Sequence, residues 1–432
     1  MSHADTLTPK ERKKYAHYAI ASSWFGCITE QLVDSNSLVI IYIVALGGSA
    51  SFSMFSTTLS SLGSILLLIP GAALCCKFGL RSFYSTSCIG QCVAFLAMAA
   101  APIISFEYAK YIVIIACLIY CFLRIPYSLS WLPMIDMFLL PQDRGAFFGK
   151  MRFSYMLLNT ILIYGAGKLM GHNPPLWLMQ LIIAIAGALV LGRKICMDRM
   201  PDNPEVRNNT IDIKSSLRTS LRNAPLVGFS FYTCFLNLAA CPLIPLAVIY
   251  MKTVLNFGAS QIMTVSSLVL AGKIIGYALI AKILQLLGTK RFQFLMHTMF
   301  VISIAAMCFI LPGNKYNFYF LNTIAVIYGM AEAFLLCLQS VESLALARPG
   351  NKVMATSFCS TFINLGVCFG RTATTLTLAA GVLMPEWTFF NITLTSFNFL
   401  FMLFLVLAVF GYLFMLLSPA VVPKHEDYYE PR

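Results

Sequence analysis

Long apolar segments separated by short polar connections dominate this sequence. About 20 apolar residues in a helix span the hydrocarbon core of a bilayer, and twelve segments are that long. The predicted spans are residues 18–46, 51–76, 83–104, 110–138, 148–171, 174–196, 226–251, 260–285, 293–312, 318–345, 354–382 and 389–417. Because a helix satisfies its own backbone hydrogen bonds in lipid, the pattern predicts an all-α membrane protein with twelve transmembrane helices.

One long polar stretch, residues 197–224, separates the spans into two groups of six. Its first part is rich in turn residues, and its second part alternates apolar and basic residues at helical spacing. That spacing predicts a short amphipathic helix at the membrane surface. The expected organisation is an N-terminal six-helix bundle (1–196), this linker, a C-terminal six-helix bundle (225–417) and a cytoplasmic tail (418–432).

Composition agrees with a membrane protein and explains the basic charge. Only 11% of the 432 residues are charged, whereas a soluble domain carries about 25%. Most Lys and Arg residues fall in alternate connections, which places these connections and both termini in the cytoplasm of a cell that carries the protein in its inner or plasma membrane. Seven of them are assigned to the central connection: Arg193, Lys194, Arg199, Arg207, Lys214, Arg218 and Arg222. Basic loops of this kind face anionic lipid, so the net charge of +13 does not indicate a nucleic-acid partner.

The residues that could take part in catalysis or bind a metal show no arrangement typical of an enzyme. The five His residues are scattered over ends, loops and one span, and the 14 Cys residues lie mostly in apolar spans without a C-x-x-C pair. Neither a metal site, a cofactor nor a disulfide framework is expected. No G-x-x-x-x-G-K-[ST] motif of an ATP-driven pump occurs.

The two groups of six spans repeat one another weakly. The segments IYIVALGGSAS (41–51) and IYMKTVLNFGASQ (249–261) occupy matching positions, as do PQDRGAFFGK (141–150) and ARPGNKVMAT (347–356). Such similarity at matched positions is typical of transporters that arose by duplication and bind their solute near the middle of the membrane.

The 6+6 arrangement resembles the major facilitator superfamily. Between spans 2 and 3, Gly71, Gly79 and Arg81 match the family's loop, Lys77 lies close to its first basic position, and Cys75 replaces its acid. The resemblance covers essentially the whole chain. It implies that these residues form a gating loop, that spans 1, 4, 7 and 10 line a central cavity, that 2, 5, 8 and 11 flank it, and that 3, 6, 9 and 12 face lipid.

Six ionisable side chains lie deep inside the predicted spans, and none falls on a span expected to face lipid. They are Glu30, Asp34, Arg124, Lys273, Glu332 and Arg371. Each charge at the centre of a bilayer costs about 2.5–3.5 kcal/mol on insertion scales, so such groups are predicted to bind a solute or a coupling ion. Further candidates for lining the cavity are Gln31, Tyr127, Trp131 and Asn237.

The acids and bases divide between the two halves. Glu30 and Asp34 are four residues apart and share one side of span 1, which suits a proton site or an oxygen-rich sodium site. The alternative is a structural pair neutralised by Arg124. Lys273, Glu332 and Arg371 form either a second proton-coupled network, a purely structural triad, or a set that leaves one cation for an anionic substrate.

These features predict a secondary active transporter that moves a small polar or anionic organic solute by alternating access, coupled to protons or another cation such as sodium. The expected partners are that solute, the ion and the lipid bilayer, and the protein is expected to be a monomer. The alternatives are an uncoupled facilitator, a lipid translocator or a transporter-like sensor. A wide apolar cavity opening between helices would favour the last two.

Overall fold

The structure, a computed structural model, describes residues 7–34, 37–78, 80–140, 144–201, 213–348, 352–381, 386–389 and 392–417. The helices of the N-terminal half are α1 (Pro9–Asp34), α2 (Ser37–Ala45), α3 (Ala50–Phe78), α4 (Leu80–Ile104), α5 (Ala109–Asp136), α6 (Arg144–Met170) and α7 (Leu176–Asp198). Those that follow are α8 (Ile213–Leu221), α9 (Ala224–Ala240), α10 (Leu243–Thr253), α11 (Ala259–Cys308), α12 (Asn317–Ala345), α13 (Lys352–Ala379) and α14 (Ser396–Leu417). Strands β1 (Glu386–Phe389) and β2 (Ile392–Thr395) pair antiparallel just before α14.

The all-α membrane architecture is confirmed. Among the described residues, nine helical segments are long and apolar enough to cross a membrane, or ten if the bent pair α1 and α2 counts as one span. Every predicted span contains a helix. Two of them, 148–171 and 354–382, correspond to α6 and α13, which have the length of a span but are not among the nine. Basic residues in α6 and many Ser and Thr residues in α13 lower their hydropathy.

The helices break at positions that the apolar pattern did not predict. Span 1 bends by 50° between α1 and α2, and span 7 is divided into α9 and α10 at Cys241 and Pro242. Spans 8 and 9 are continuous in α11 except at Gly288, whose positive φ of 69° interrupts the helix. The last span was predicted from residue 389, which is wrong, because the β1–β2 hairpin occupies that region and α14 begins at Ser396.

The described residues form two compact units. The first lies within residues 1–49, 62–210 and 258–263, and the second within 50–61, 211–257 and 264–432. In the first unit α7 packs against α1 and α4, and α4 packs against α5. In the second unit α13 packs against α9 and α12. The predicted bundle boundaries at residues 196 and 225 stay a prediction, and the units depart from them mainly in the short segments 50–61 and 258–263.

Local capping fixes where α1 and α9 begin. The Thr8 hydroxyl and backbone N–H both donate to the Glu11 carboxylate, at 2.7 and 2.9 Å, and the Glu11 N–H donates to the Thr8 hydroxyl. This capping box satisfies free N–H groups of the first turn and holds the pKa of Glu11 below its usual range. Asn223 caps α9 and also donates to the Leu346 carbonyl at 2.7 Å, which ties α9 to the end of α12.

Candidate functional site

A salt bridge inside the first unit joins Arg193 of α7 to Glu30 of α1. The distance from Arg193 Nη1 to Glu30 Oε1 is 2.6 Å. The arginine side chain is 0% exposed and the glutamate side chain is 23% exposed, so the cation is the deeper partner. Arg193 also donates to the Ser22 carbonyl at 3.4 Å, and its Nη2 lies 3.7 Å from the Cys27 sulfur.

A close fit holds the Arg193 guanidinium in place. It lies against Gly26, where a Cβ atom would be only 1.5 Å from Arg193 Nε, so this position has room for hydrogen alone. On another side it lies over the Tyr127 ring, 3.9 Å from the centroid, and Tyr127 in turn contacts Trp131. A cation at that distance is attracted by the ring face, and the attraction grows as water is excluded. The pair is therefore enclosed by α1, α5 and α7.

Arg193 is a buried charge that the sequence does not predict. Its prediction as a basic residue of the cytoplasmic central connection is wrong, because it lies on α7 and is fully buried. The helical spacing of residues along α7 could have predicted this burial, because Arg193 falls on the same face as the apolar residues. The buried residues of α7 are Met179, Ile183, Ala186, Gly187, Val190, Arg193 and Met197. The expectation that span 6 carries no buried charge is corrected by the same observation. Its neighbour Lys194 pairs instead with Asp198, at 2.7 Å, and both side chains are part-exposed.

Arg124, Gln31 and Asp34, which the sequence also predicted as site residues, lie in the same unit. Arg124 on α5 and Gln31 on α1 are half-buried, and each has an interaction partner. Asp34 is the last residue of α1, and its side chain lies outside the described part of the structure. The proposed pairing of Arg124 with Glu30 or Asp34 stays a prediction, whereas the salt-bridge partner found for Glu30 is Arg193.

A second salt bridge lies in the second unit, between Lys273 of α11 and Glu332 of α12. Lys273 Nζ is 2.7 Å from Glu332 Oε1. Here too the cation is the deeper partner, with 10% of the lysine side chain exposed against 29% of the glutamate side chain. The sequence left Lys273 and Arg371 as possible partners of Glu332. In the structure, the salt-bridge partner of Glu332 is Lys273.

Arg371 of α13 lies near this second pair. It is 8% exposed, and its Nη1 donates a hydrogen bond to the backbone carbonyl of Thr57 on α3, in the same unit. The thiol of Cys241, between α9 and α10, is within electrostatic range of Arg371, Glu332 and Lys273. The three charges of the C-terminal set therefore converge where span 7 is broken.

The roles of the remaining predicted residues stay predictions. Asn237 is buried on α9, where its amide donates to the Thr233 carbonyl at 2.7 Å and its oxygen accepts from the Cys241 thiol. Of the gating loop, Gly71 and Lys77 lie on α3 and Arg81 on α4, but their surroundings and all of Gly79 are outside the described residues. The described residues contain no group of three or more His, Cys, Asp or Glu residues that could hold a metal ion.

Chemically, this arrangement places charged groups that can change partners inside a hydrophobic interior. Each unit holds one buried cation against a more exposed carboxylate. If such a carboxylate gained a proton or bound a solute instead, it would release its partner. A buried cation released in this way requires another anion, because an unpaired charge is costly in the interior.

Comparison with solved structures gives the same fold. The nucleoside transporter NupG has a TM-score of 0.67 and 15% identity, covering 94% of this chain and 99% of that one. A D-xylose-proton symporter has a TM-score of 0.71 and 14% identity, covering 96% and 98%. A POT family transporter in complex with 5-aminolevulinic acid has a TM-score of 0.69 and 11% identity, covering 94% and 96%. Among curated proteins, no relative matches the chain.

The sequence profile of the Major Facilitator Superfamily matches residues 23–371, which is most of the chain. That range includes all six charges predicted from the sequence and Arg193. Members of this family are multi-pass membrane proteins that move solutes and are typically not enzymes. The chain belongs to the Major Facilitator Superfamily and is a secondary transporter of a small-molecule solute.

Proposed function

We propose that this protein moves a small polar or anionic organic solute by alternating access, coupled to protons through Glu30. It does so as a monomer in the inner or plasma membrane, with both termini in the cytoplasm. The observation that carries the proposal is the salt bridge between Glu30 and the fully buried Arg193. The similarity to a D-xylose-proton symporter supports coupling to protons at the level of the fold.

Protonation of Glu30 changes the balance of charge around Arg193. An arginine keeps its proton at any accessible pH, so a neutral Glu30 leaves a buried positive charge without its counterion. The Tyr127 ring, 3.9 Å from the guanidinium, stabilises that state in part. Full relief requires α1 and α7 to move or another anion to approach. Proton binding is in this way linked to a change of conformation.

A proton suits this site better than sodium. Sodium needs several oxygen ligands and a net negative site, but the Glu30 carboxylate already faces a guanidinium at 2.6 Å. A proton needs only one oxygen. The Glu30 side chain is 23% exposed, which leaves a carboxylate edge where a proton can be accepted.

The second unit supplies the groups for the solute. Lys273, Glu332 and Arg371 carry a net charge of +1 when all are ionised, which favours an anion or a solute with several hydrogen-bonding groups. Glu332 can exchange its bond to Lys273 for a bond to the solute, since 29% of its side chain is exposed.

Transport in liposomes tests the coupling. Purified protein is reconstituted with a panel of radiolabelled organic acids, sugars and amino acids under an imposed proton gradient or an imposed sodium gradient. We expect the proton gradient to drive accumulation of at least one compound. Glu30→Gln should abolish this accumulation while leaving exchange of labelled for unlabelled solute, because exchange needs no net proton movement.

Glu107→Gln is the matched control, since Glu107 is an exposed acid outside both salt bridges. It should behave as the parent protein does. Accumulation that is driven by sodium alone, or that persists in Glu30→Gln, would exclude Glu30 as the proton-coupling residue.

A further inference from the structure

Arg371 differs from the other buried cations of the structure in having no acidic partner among the described residues. Arg193 and Lys273 each face a carboxylate, at 2.6 and 2.7 Å. Arg371 is as well buried as Lys273, yet its hydrogen bond goes to a backbone carbonyl, that of Thr57. Its Nε, also buried, has no hydrogen-bond partner in the described part of the chain. A carbonyl dipole offsets only part of a full charge, so Arg371 keeps the capacity to pair with an anion.

The packing of α13 fixes the backbone beside Arg371. At Gly370, the preceding residue, an added Cβ would lie 2.4 Å from the Leu238 carbonyl of α9 and 2.9 Å from Pro242 Cγ. The two helices therefore touch through their backbones at this level. Because Arg371 is next in the chain, its Cα is fixed at the break in span 7, where the Lys273–Glu332 pair also acts on Cys241.

The first turns of α3, where the Thr57 carbonyl accepts the hydrogen bond from Arg371, carry buried hydroxyl groups. Ser53, Ser56 and Thr57 are all buried. The hydroxyls of Ser56 and Thr57 donate to carbonyls of their own helix, at 2.7 Å each. The Ser53 hydroxyl, which lies one helical turn from Thr57 and on the same face, has no partner among the described residues. It is a second polar group in this region with unused hydrogen-bonding capacity.

We propose that the Arg371 guanidinium, assisted by the Ser53 hydroxyl, binds the carboxylate of a monoanionic solute. This assignment rests on the proposed function, which leaves the class of solute open between polar and anionic. A guanidinium offers two parallel N–H donors to the two oxygens of a carboxylate, and Nε is one of the donors that remain unused. The hydroxyl adds a neutral donor to the same group.

Charge counting selects a monoanion. Lys273 is neutralised by Glu332, so the set has one uncompensated positive charge, on Arg371. A solute with one carboxylate makes the region neutral. A dianion would leave a net negative charge in a hydrophobic interior, which is costly.

Binding to the purified full-length protein tests the proposal without requiring transport. Thermal unfolding in detergent is followed as lactate, glycolate or benzoate is added, in parallel with lactamide, glycolamide and benzamide, their neutral amides. We expect at least one carboxylate to raise the melting temperature in a saturable way, and its amide to have no such effect. If none of the carboxylates stabilises the wild-type protein, or if amides stabilise it equally, the proposal is wrong.

Variants locate the site. Arg371→Gln should remove the response, and Arg371→Lys, which keeps the charge but loses the paired donors, should raise the half-saturating concentration about tenfold or more. Ser53→Ala should raise it about two- to fivefold. Arg218→Gln, which removes an exposed arginine on α8, is the matched control and should respond as the wild type does.

If Arg371→Gln does not fold, Arg371→Lys and Ser53→Ala decide the matter. An unchanged half-saturating concentration in both would refute the assignment. The two proposals fail separately: carboxylate binding without proton-driven uptake refutes only the coupling, whereas proton-driven uptake that is unaffected by Arg371→Lys refutes only the carboxylate site.

Discussion

The two units hold their buried charges in different ways. In the salt bridge of the first, the cation is an arginine with no exposed surface, and in the salt bridge of the second it is a lysine that retains a small exposed area. Arginine cannot lose its proton, whereas a buried lysine can become neutral when its partner is removed. The Glu30–Arg193 pair therefore has only the carboxylate proton to exchange, and the Lys273–Glu332 pair has two. This difference is consistent with our proposal that the first unit couples to protons and the second adjusts around a solute.

The largest expected effect comes from removing each carboxylate in turn. Glu30→Gln leaves a permanent buried charge and should lower the free energy of unfolding by about 3–5 kcal/mol. Glu332→Gln should lower the free energy of unfolding by less than half as much, because Lys273 can release its proton. Measuring the unfolding of both variants in detergent at neutral pH compares the two losses. The double variant Glu30→Gln with Arg193→Met should recover most of the loss, and equal losses in the two single variants would contradict the distinction between arginine and lysine.

A smaller effect is expected from filling the space beside Arg193. Gly26→Ala introduces a Cβ within 1.5 Å of Arg193 Nε and so displaces the guanidinium from Glu30 and Tyr127. Overpacking of this kind costs about 1–3 kcal/mol, and the same unfolding measurement would detect it. Gly165→Ala on α6 is the control, since its Cβ would meet no atom within 4 Å. If both alanine variants are equally stable, Arg193 does not depend on this close fit.

The smallest effect is expected one residue further along α7. Lys194 and Asp198 form an (i, i+4) pair with part-exposed side chains, and such pairs contribute about 0.3–0.5 kcal/mol. Lys194→Gln should therefore change stability only slightly, whereas Arg193→Gln leaves Glu30 without its buried partner and should be far more damaging. If Lys194→Gln lowers the free energy of unfolding as much as Arg193→Gln does, the difference in burial between these two residues does not determine their contribution to stability.

The apolar pattern predicted the architecture well because membrane spans are long and their composition is distinctive. It failed where a span is interrupted, as at Cys241 and Pro242, since hydropathy averaged over a window does not register a break of one or two residues. The hairpin before α14 was missed for a related reason: its strands contain Trp387, Phe389 and Ile392, which extend the apolar character of the helix that follows.

The candidate site was predicted in part. Lys273 and Glu332 were identified as buried charges, and the structure joins them. Arg193 was missed because two rules conflict for it. The positive-inside rule assigns a basic residue near the end of a span to the cytoplasm, whereas the helical period places Arg193 on the same face as Ile183 and Val190. Which rule applies depends on a counterion that lies 163 residues away in the sequence.

That separation also has a consequence for biosynthesis. At about 5–20 residues per second, the ribosome needs roughly 8–33 s to make the chain between Glu30 and Arg193, against roughly 3–12 s for the 59 residues between Lys273 and Glu332. An unpaired carboxylate is disfavoured in lipid, and Glu30 has no Arg193 to pair with until α7 has been made. The buried pair of the N-terminal unit can therefore form only late in synthesis, whereas the Lys273–Glu332 pair can form soon after its first member is made.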